Sequence, residues 1–147
     1  MTYTIGEMAK LIGVAPSTLR YYDKEGLFPD MQRESGIRQF SDKELAALRI
    51  IECLKKSGLE IKDIKQFMRW CAEGSATYPQ RRELFVRQKE VVEGELRALE
   101  KTLDMLRFTW WFYEQAIRDG KEDRLHEMMP DKLPQEIQKL YDHANAP

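Results

Sequence analysis

The sequence predicts an all-α protein: a winged helix-turn-helix head of four short helices with a small β wing, then one long helix. Three observations lead there. Helix-start and helix-stop residues punctuate the first 76 residues at short intervals. The run from Phe28 to Phe40, broken by Pro29 and Gly36, has no helical period. From Val92 onward, apolar residues recur at alternating spacings of four and three. The expected division is a head over 1–76, a long helix over 77–120, and a short tail with one small helix over 121–147.

Each element follows from local chemistry. Thr4 with Glu7 forms a capping box, and Ile5, Met8, Ala9 and Ile12 give the first helix an apolar stripe that Gly13 terminates. Pro16 sits in a first turn, where its missing N–H costs nothing, and a second helix runs to about Glu25 before Gly26. Ile37 and Phe40 fit a short hairpin, the wing. Ser41 with Glu44 opens a third helix through about Lys56, with Leu45, Leu48, Ile51 and Leu54 inward. Ser57-Gly58 breaks it, and a fourth helix carries Ile61, Ile64, Phe67 and Met68 to about Gly74.

Beyond Pro79 the residues Val92, Leu96, Leu99, Leu103, Leu106, Trp110, Tyr113 and Ile117 form a heptad seam. Extended backwards, the register passes through Lys89, Phe85, Arg82 and Tyr78 and is polar in two places. A helix of this length spans on the order of 60 Å. So long an apolar seam needs a partner, and the simplest is a second copy, giving a two-fold homodimer. Gly120 ends the helix. Pro130 and Pro134 interrupt the tail, where Ile137, Leu140 and Tyr141 mark one last helix.

Composition narrows the class. Of 147 residues, 42% are hydrophobic and 33% charged with nearly balanced signs, which fits a globular helical chain better than a disordered one. No apolar run approaches the roughly 20 residues that cross a bilayer, and MTYTIGEMAK lacks the order of a signal peptide. A cytoplasmic protein without membrane association is expected. Cys53 and Cys71 have no paired spacing, so free thiols are expected, with neither a metal site nor a cofactor. Residues 1–70 hold 12 Lys/Arg against 10 Asp/Glu, and residues 71–147 hold 12 against 15. Any nucleic-acid contact must therefore come from local placement of charge.

Such placement occurs in TLRYYDKEGLFPDMQRESGIRQF, Thr18 to Phe40. In one reading Ser17, Thr18, Arg20, Tyr21 and Tyr22 lie on a recognition helix in a major groove, and the wing brings Arg33 and Arg38 to phosphates. Guanidinium forks match phosphate oxygens and the guanine edge. In the other reading Tyr21 and Tyr22 are core and the arginines are solvated surface.

These residues resemble the DNA-binding domain of the MerR family of bacterial transcription regulators. The match runs from TIGEMAKLIG through TLRYYD, the RESGIR wing and SGLEIKDI, covering roughly the first 70 residues. The resemblance implies DNA contacts from Arg20, Tyr21, Tyr22 and Arg38, and a second wing from Ser57 to Lys62. Phe40 departs from the family pattern, which usually has tyrosine there, so a hydroxyl contact is lost. The resemblance also implies an antiparallel coiled-coil homodimer on double-stranded promoter DNA. Activators of this type bend and untwist an over-long spacer so that RNA polymerase engages both promoter elements.

For the input signal, Cys53 in IIECLKKSGL resembles the thiol of a subgroup linked to aldehyde and nitrosative stress, and Lys55 and Lys56 would favour a thiolate. The competing reading is a small core hydrophobe, as for Cys71. Trp110, Trp111 and Tyr113, with Phe108 and Glu114 nearby, are a second candidate, an aromatic pocket for an apolar cation, set against simple dimer core. His126 and His143 read as surface residues. A DNA-architectural factor of the excisionase type shares such a head but lacks a long heptad arm. No phosphate-cradling loop or nucleophile–base pair points to an enzyme.

Overall fold

The computed structural model describes residues 1–147 as β1 (Thr2–Tyr3), α1 (Ile5–Ile12), α2 (Pro16–Lys24), β2 (Gln32–Glu34), β3 (Ile37–Ser41), α3 (Asp42–Lys56), α4 (Ile61–Glu73), α5 (Tyr78–Asp119), α6 (Asp123–Met128) and α7 (Gln135–Ala144). A 3-10 turn, Ser75–Thr77, precedes α5. The chain forms two compact units, Met1–Glu90 and Val91–Pro147. No helix is long and apolar enough to cross a membrane.

In the first unit the expected signals act locally. Thr4 Oγ1 accepts from the Glu7 amide at 3.2 Å, and Gly13, at φ +83°, closes α1 by returning its N–H to Ala9. At α3 the capping box is complete: the Glu44 carboxylate accepts from the Ser41 amide at 2.9 Å and from its hydroxyl, and the Ser41 oxygen accepts from the Lys43 amide. The wing turns at Ser35 and Gly36, both with positive φ, the two-residue geometry whose twist suits a tight hairpin.

One strand was absent from the sequence reading. β1 pairs antiparallel with β3 through Thr2↔Ser41 and Tyr3↔Phe40, so the wing is the outer part of a three-stranded sheet in the order β1-β3-β2. Tyr3 fixes it further by donating to Asp42 at 2.8 Å. That bond raises the tyrosine's pKa and lowers the aspartate's.

The core beneath joins Met8, Leu19, Tyr22, Leu27, Phe40, Leu48, Ile51, Leu54 and Ile64, all 0–1% exposed. Phe40 meets Phe28 edge-to-face, with ring centroids 5.7 Å apart. At this depth a phenol hydroxyl in its place would need a partner within the protein.

The first unit extends past the expected boundary at 76. Leu84 is buried in its core, Phe85 packs edge-to-face on Phe67, and Gln88 donates to the Ser57 hydroxyl at 2.9 Å. Thr77 accepts from Arg81 and donates to the Trp70 carbonyl, which joins the end of α4 to the start of α5. The seam is irregular before Val92 because those turns of α5 serve the head.

The second unit contains two tail helices where one was expected. α6 and α7 return to α5 around Phe108, Phe112, Leu125 and Leu133, with Trp111, Ile137, Leu140 and Tyr141 half-buried at the edge. Phe108 and Tyr141 meet edge-to-face at 5.0 Å. His143 lies 2.6 Å from Asp104, and Lys101 reaches the backbone oxygens of Ala146 and Pro147.

Candidate nucleic-acid interface

The α2 helix is amphipathic, and its two faces part the residues grouped by sequence. Leu19 and Tyr22 point into the core, whereas Ser17, Arg20 and Tyr21 are exposed and Thr18 is half-buried. Tyr22 is the correction. It is 1% exposed, its hydroxyl donates to Glu52 at 2.7 Å, and the Lys55 ammonium stands 5.2 Å from its ring centroid. Burial, then the carboxylate, push its pKa far above the ordinary phenol range. Its hydroxyl is thus committed to the protein. Tyr21, 45% exposed, presents the only phenol of the pair on the outer face.

The wing is tied to this helix by a residue the sequence reading did not single out. Asp23, with only 11% of its side chain exposed, receives Arg38 Nε at 2.7 Å and Arg33 Nη2 on the same oxygen. One carboxylate between two guanidiniums leaves a net positive cluster whose remaining N–H donors are not used by the pair. It also spans α2 and the hairpin, so the wing and the Arg20–Tyr21 face are held in register.

Across the other flank of α2, Ser17, Thr18 and Tyr21 line a groove of about 390 Å³ with Lys55, Leu59 and Ile61 from α3 and the α3–α4 connection. Lys62, one residue on, is exposed, and its only ion pair is a loose one to Glu60 at 3.6 Å. Exposed pairs of that kind contribute little and yield readily to a phosphate. A helix flanked by two cation-bearing loops suits a polyanion contacted on both sides.

The candidate input residues are placed differently. Cys53 is exposed on α3, which removes the reading as a small core hydrophobe. Cys71 is exposed too, against the expectation that it packs inward, and it lies at the rim of a small cavity with Phe28, Ala47 and Met68. Trp110 and Tyr113, 71% and 55% exposed, share the seam face of α5, but Trp111 turns away to pack against Phe108, with centroids 6.2 Å apart. The three do not converge on one pocket.

A helix-turn-helix with an arginine-bearing wing beside its second helix defines a DNA-binding transcriptional regulator. The pattern of the MerR HTH family regulatory proteins matches residues 3–70. An uncharacterized HTH-type transcriptional regulator of Haemophilus influenzae is 42% identical over 117 residues, 79% of this chain and 87% of the relative. The chain belongs to the MerR family. A crystal structure of HiNmlR, a MerR family regulator lacking the sensor domain and bound to promoter DNA, superposes with a TM-score of 0.79 at 38% identity. That match covers 92% of this chain and 98% of that one. A MerR family regulator of Bacillus thuringiensis matches with a TM-score of 0.66 at 42% identity, over 73% of this chain and 95% of that one. These relatives are transcriptional regulators.

Proposed function

We propose that the chain acts as a homodimer on a promoter spacer in the cytoplasm and alters transcription by bending and untwisting the duplex for RNA polymerase. Ser17, Thr18, Arg20 and Tyr21 enter a major groove, Arg33 and Arg38 of the wing hold one phosphate strand, and Lys62 holds phosphates on the opposite flank. Contacts on both sides of the recognition helix favour a deformed duplex, since they are fully made only when the DNA curves to meet them. The observation that carries this reading is the Asp23 clamp, which fixes two wing arginines beside the exposed Arg20–Tyr21 face.

The test is promoter-fragment binding by Arg20→Ala at matched salt. Arg20 is exposed and no clamp depends on it, so the fold should be unchanged while affinity falls by about 1–3 kcal/mol. Unaltered affinity would remove α2 from the groove. For regulation, the exposed thiol of Cys53 is open to an electrophile such as an aldehyde. Cys53→Ser should then abolish the transcriptional response to that electrophile without changing basal DNA binding. A full response in the variant would transfer sensing elsewhere.

A further inference from the structure

We infer that the cleft at the base of the wing is a binding site for a neutral, apolar molecule the size of a benzene ring, which holds the wing in place when bound. Leu27 and Phe28 from the α2–β2 connection, Ala47 of α3, and Met68 and Ala72 of α4 line a space of about 170 Å³. Ala47 and Ala72 end at the β carbon, so neither reaches in to fill it. A cavity of about 150 Å³ with apolar walls, engineered into another protein, takes up benzene, so the size suffices for a single ring.

The polar groups around the cleft fix the class of ligand. At its exposed edge Lys43 Nζ donates to Asp30 at 2.9 Å. The Glu44 carboxylate, 6% exposed, accepts from the Ser41 amide at 2.9 Å and from its hydroxyl. No buried side-chain nitrogen or oxygen is left without a hydrogen bond. A charged ligand would therefore meet no free counter-charge, and would have to break one of these pairs as well as shed its own water. Water is no better served, since it needs several polar partners and the inner walls are carbon and sulfur. An apolar ring gives up no hydrogen bond on entering and gains contact with Phe28, Met68 and the Cys71 sulfur.

The walls bracket the wing hairpin at both ends. Phe28 meets Phe40 of β3 edge-to-face, and its carbonyl accepts from the Met31 amide at 3.2 Å just before β2. Lys43 and Glu44 lie in the first turn of α3, directly after β3. The remaining wall is the last part of α4, whose Trp70 carbonyl accepts from the Thr77 hydroxyl ahead of α5. A molecule seated here touches both roots of the hairpin and α4 at once, so its binding stabilises the arrangement in which they stand together. A neighbouring cleft of about 300 Å³ shares Pro29, Met68 and Ala72, but there Lys65 pairs with Glu25 beside Arg69, and such ionic walls suit an apolar guest poorly.

Protection of a thiol in the full chain tests this. In Cys53→Ser the one remaining thiol, Cys71, lines this cleft and not the neighbouring one, so its reactivity reports occupancy. Benzene should slow its reaction with a disulfide reagent in a saturable way, about tenfold at ten times the dissociation constant, whereas benzoate and benzylammonium should not. Unchanged reactivity up to the solubility of benzene, or equal protection by either ion, overturns the proposal. Ala47→Leu/Ala72→Leu, first shown to keep the thermal transition of the head, should lose the benzene dependence. If that pair fails to fold, Ala72→Leu alone, at an exposed position of α4, takes its place. Protection that persists in the filled variant puts the ring elsewhere and overturns the site. Protection that grows with protein concentration in the absence of benzene shows a second copy's side chain in the cleft, and overturns it as well. For the wing, benzene should slow hydrogen exchange at the Met31 amide and at the β2 amides while leaving α6 and α7 unchanged. Equal exchange at Met31 with and without benzene overturns the hold on the wing.

Discussion

Two stretches with nearly the same apolar spacing meet opposite fates. Leu48, Ile51 and Leu54 on α3 are 0–1% exposed, whereas Leu99, Leu103 and Leu106 on α5 are 65%, 44% and 62% exposed. The α3 stripe is covered because α1, β3 and α4 return to it within the same unit. The α5 seam is not, because the chain's own tail folds onto a different face of that helix. Periodicity thus specifies that a stripe must be buried, and topology decides whether its cover comes from the same chain. An exposed apolar run of this length is costly in water, and the proposed pairing of two copies would relieve that cost.

The largest effect should come from the uncovered stripe. In Leu99→Asp/Leu103→Asp each dimer would carry four carboxylates in its seam, and each lost leucine is worth about 2–5 kcal/mol where burial is complete. Monomers by light scattering are expected, with Leu48, Ile51 and Leu54 still packed and the thermal transition of the head retained. A dimer that survives both substitutions would place the interface on another face and would erase the contrast between the two stripes.

A smaller effect separates the two adjacent tyrosines within the head. Tyr22→Phe removes the bond to Glu52 and should cost about 1 kcal/mol of folding stability with promoter affinity unchanged. Tyr21→Phe should do the reverse, leaving the melting temperature alone and weakening binding several-fold through one lost phosphate contact. If Tyr22→Phe weakened binding without touching stability, its hydroxyl would have to leave Glu52 on DNA.

What the sequence revealed divides along the same line. The Ser41–Glu44 capping box, Gly13, Gly74 and the end of α5 at Gly120 were readable because each is settled by residues within one turn. Features built across long separations were not. β1 is two residues long, and only its pairing with Phe40 and Ser41 makes it a strand. Asp23 joins arginines 10 and 15 positions away, and no local pattern marks a carboxylate in a basic segment as a clamp. Tyr22 reads as one of two equivalent tyrosines until α3 supplies Glu52. The exposed tyrosine and arginine of α2 were within reach of the sequence, since helical phase alone sets them apart from Leu19; the phase of Tyr22, three residues after Leu19, gave the same warning.

The smallest expected effect concerns how the tail holds α5. Asp104 joins the two through His143 of α7, and it also takes Arg107 from its own helix. The His143 contact first, and the Arg107 contact after it, hold the Asp104 carboxyl below the ordinary carboxylate range. A lowered carboxyl pKa stabilises the folded form at pH values above the unfolded one and loses that contribution as pH falls through the folded one. The α7 clasp should therefore be indifferent to acid until pH drops below the ordinary carboxylate range, then loosen. Hydrogen exchange of the α7 amides would show this as faster exchange at low pH, confined to α7 and its contacts. Asp104→Asn should exchange at the faster rate already at neutral pH and show no further acid step. If the acid step persisted in Asp104→Asn, the apolar contacts of Phe108 with Tyr141, and not the carboxylate, would be what hold the tail in place.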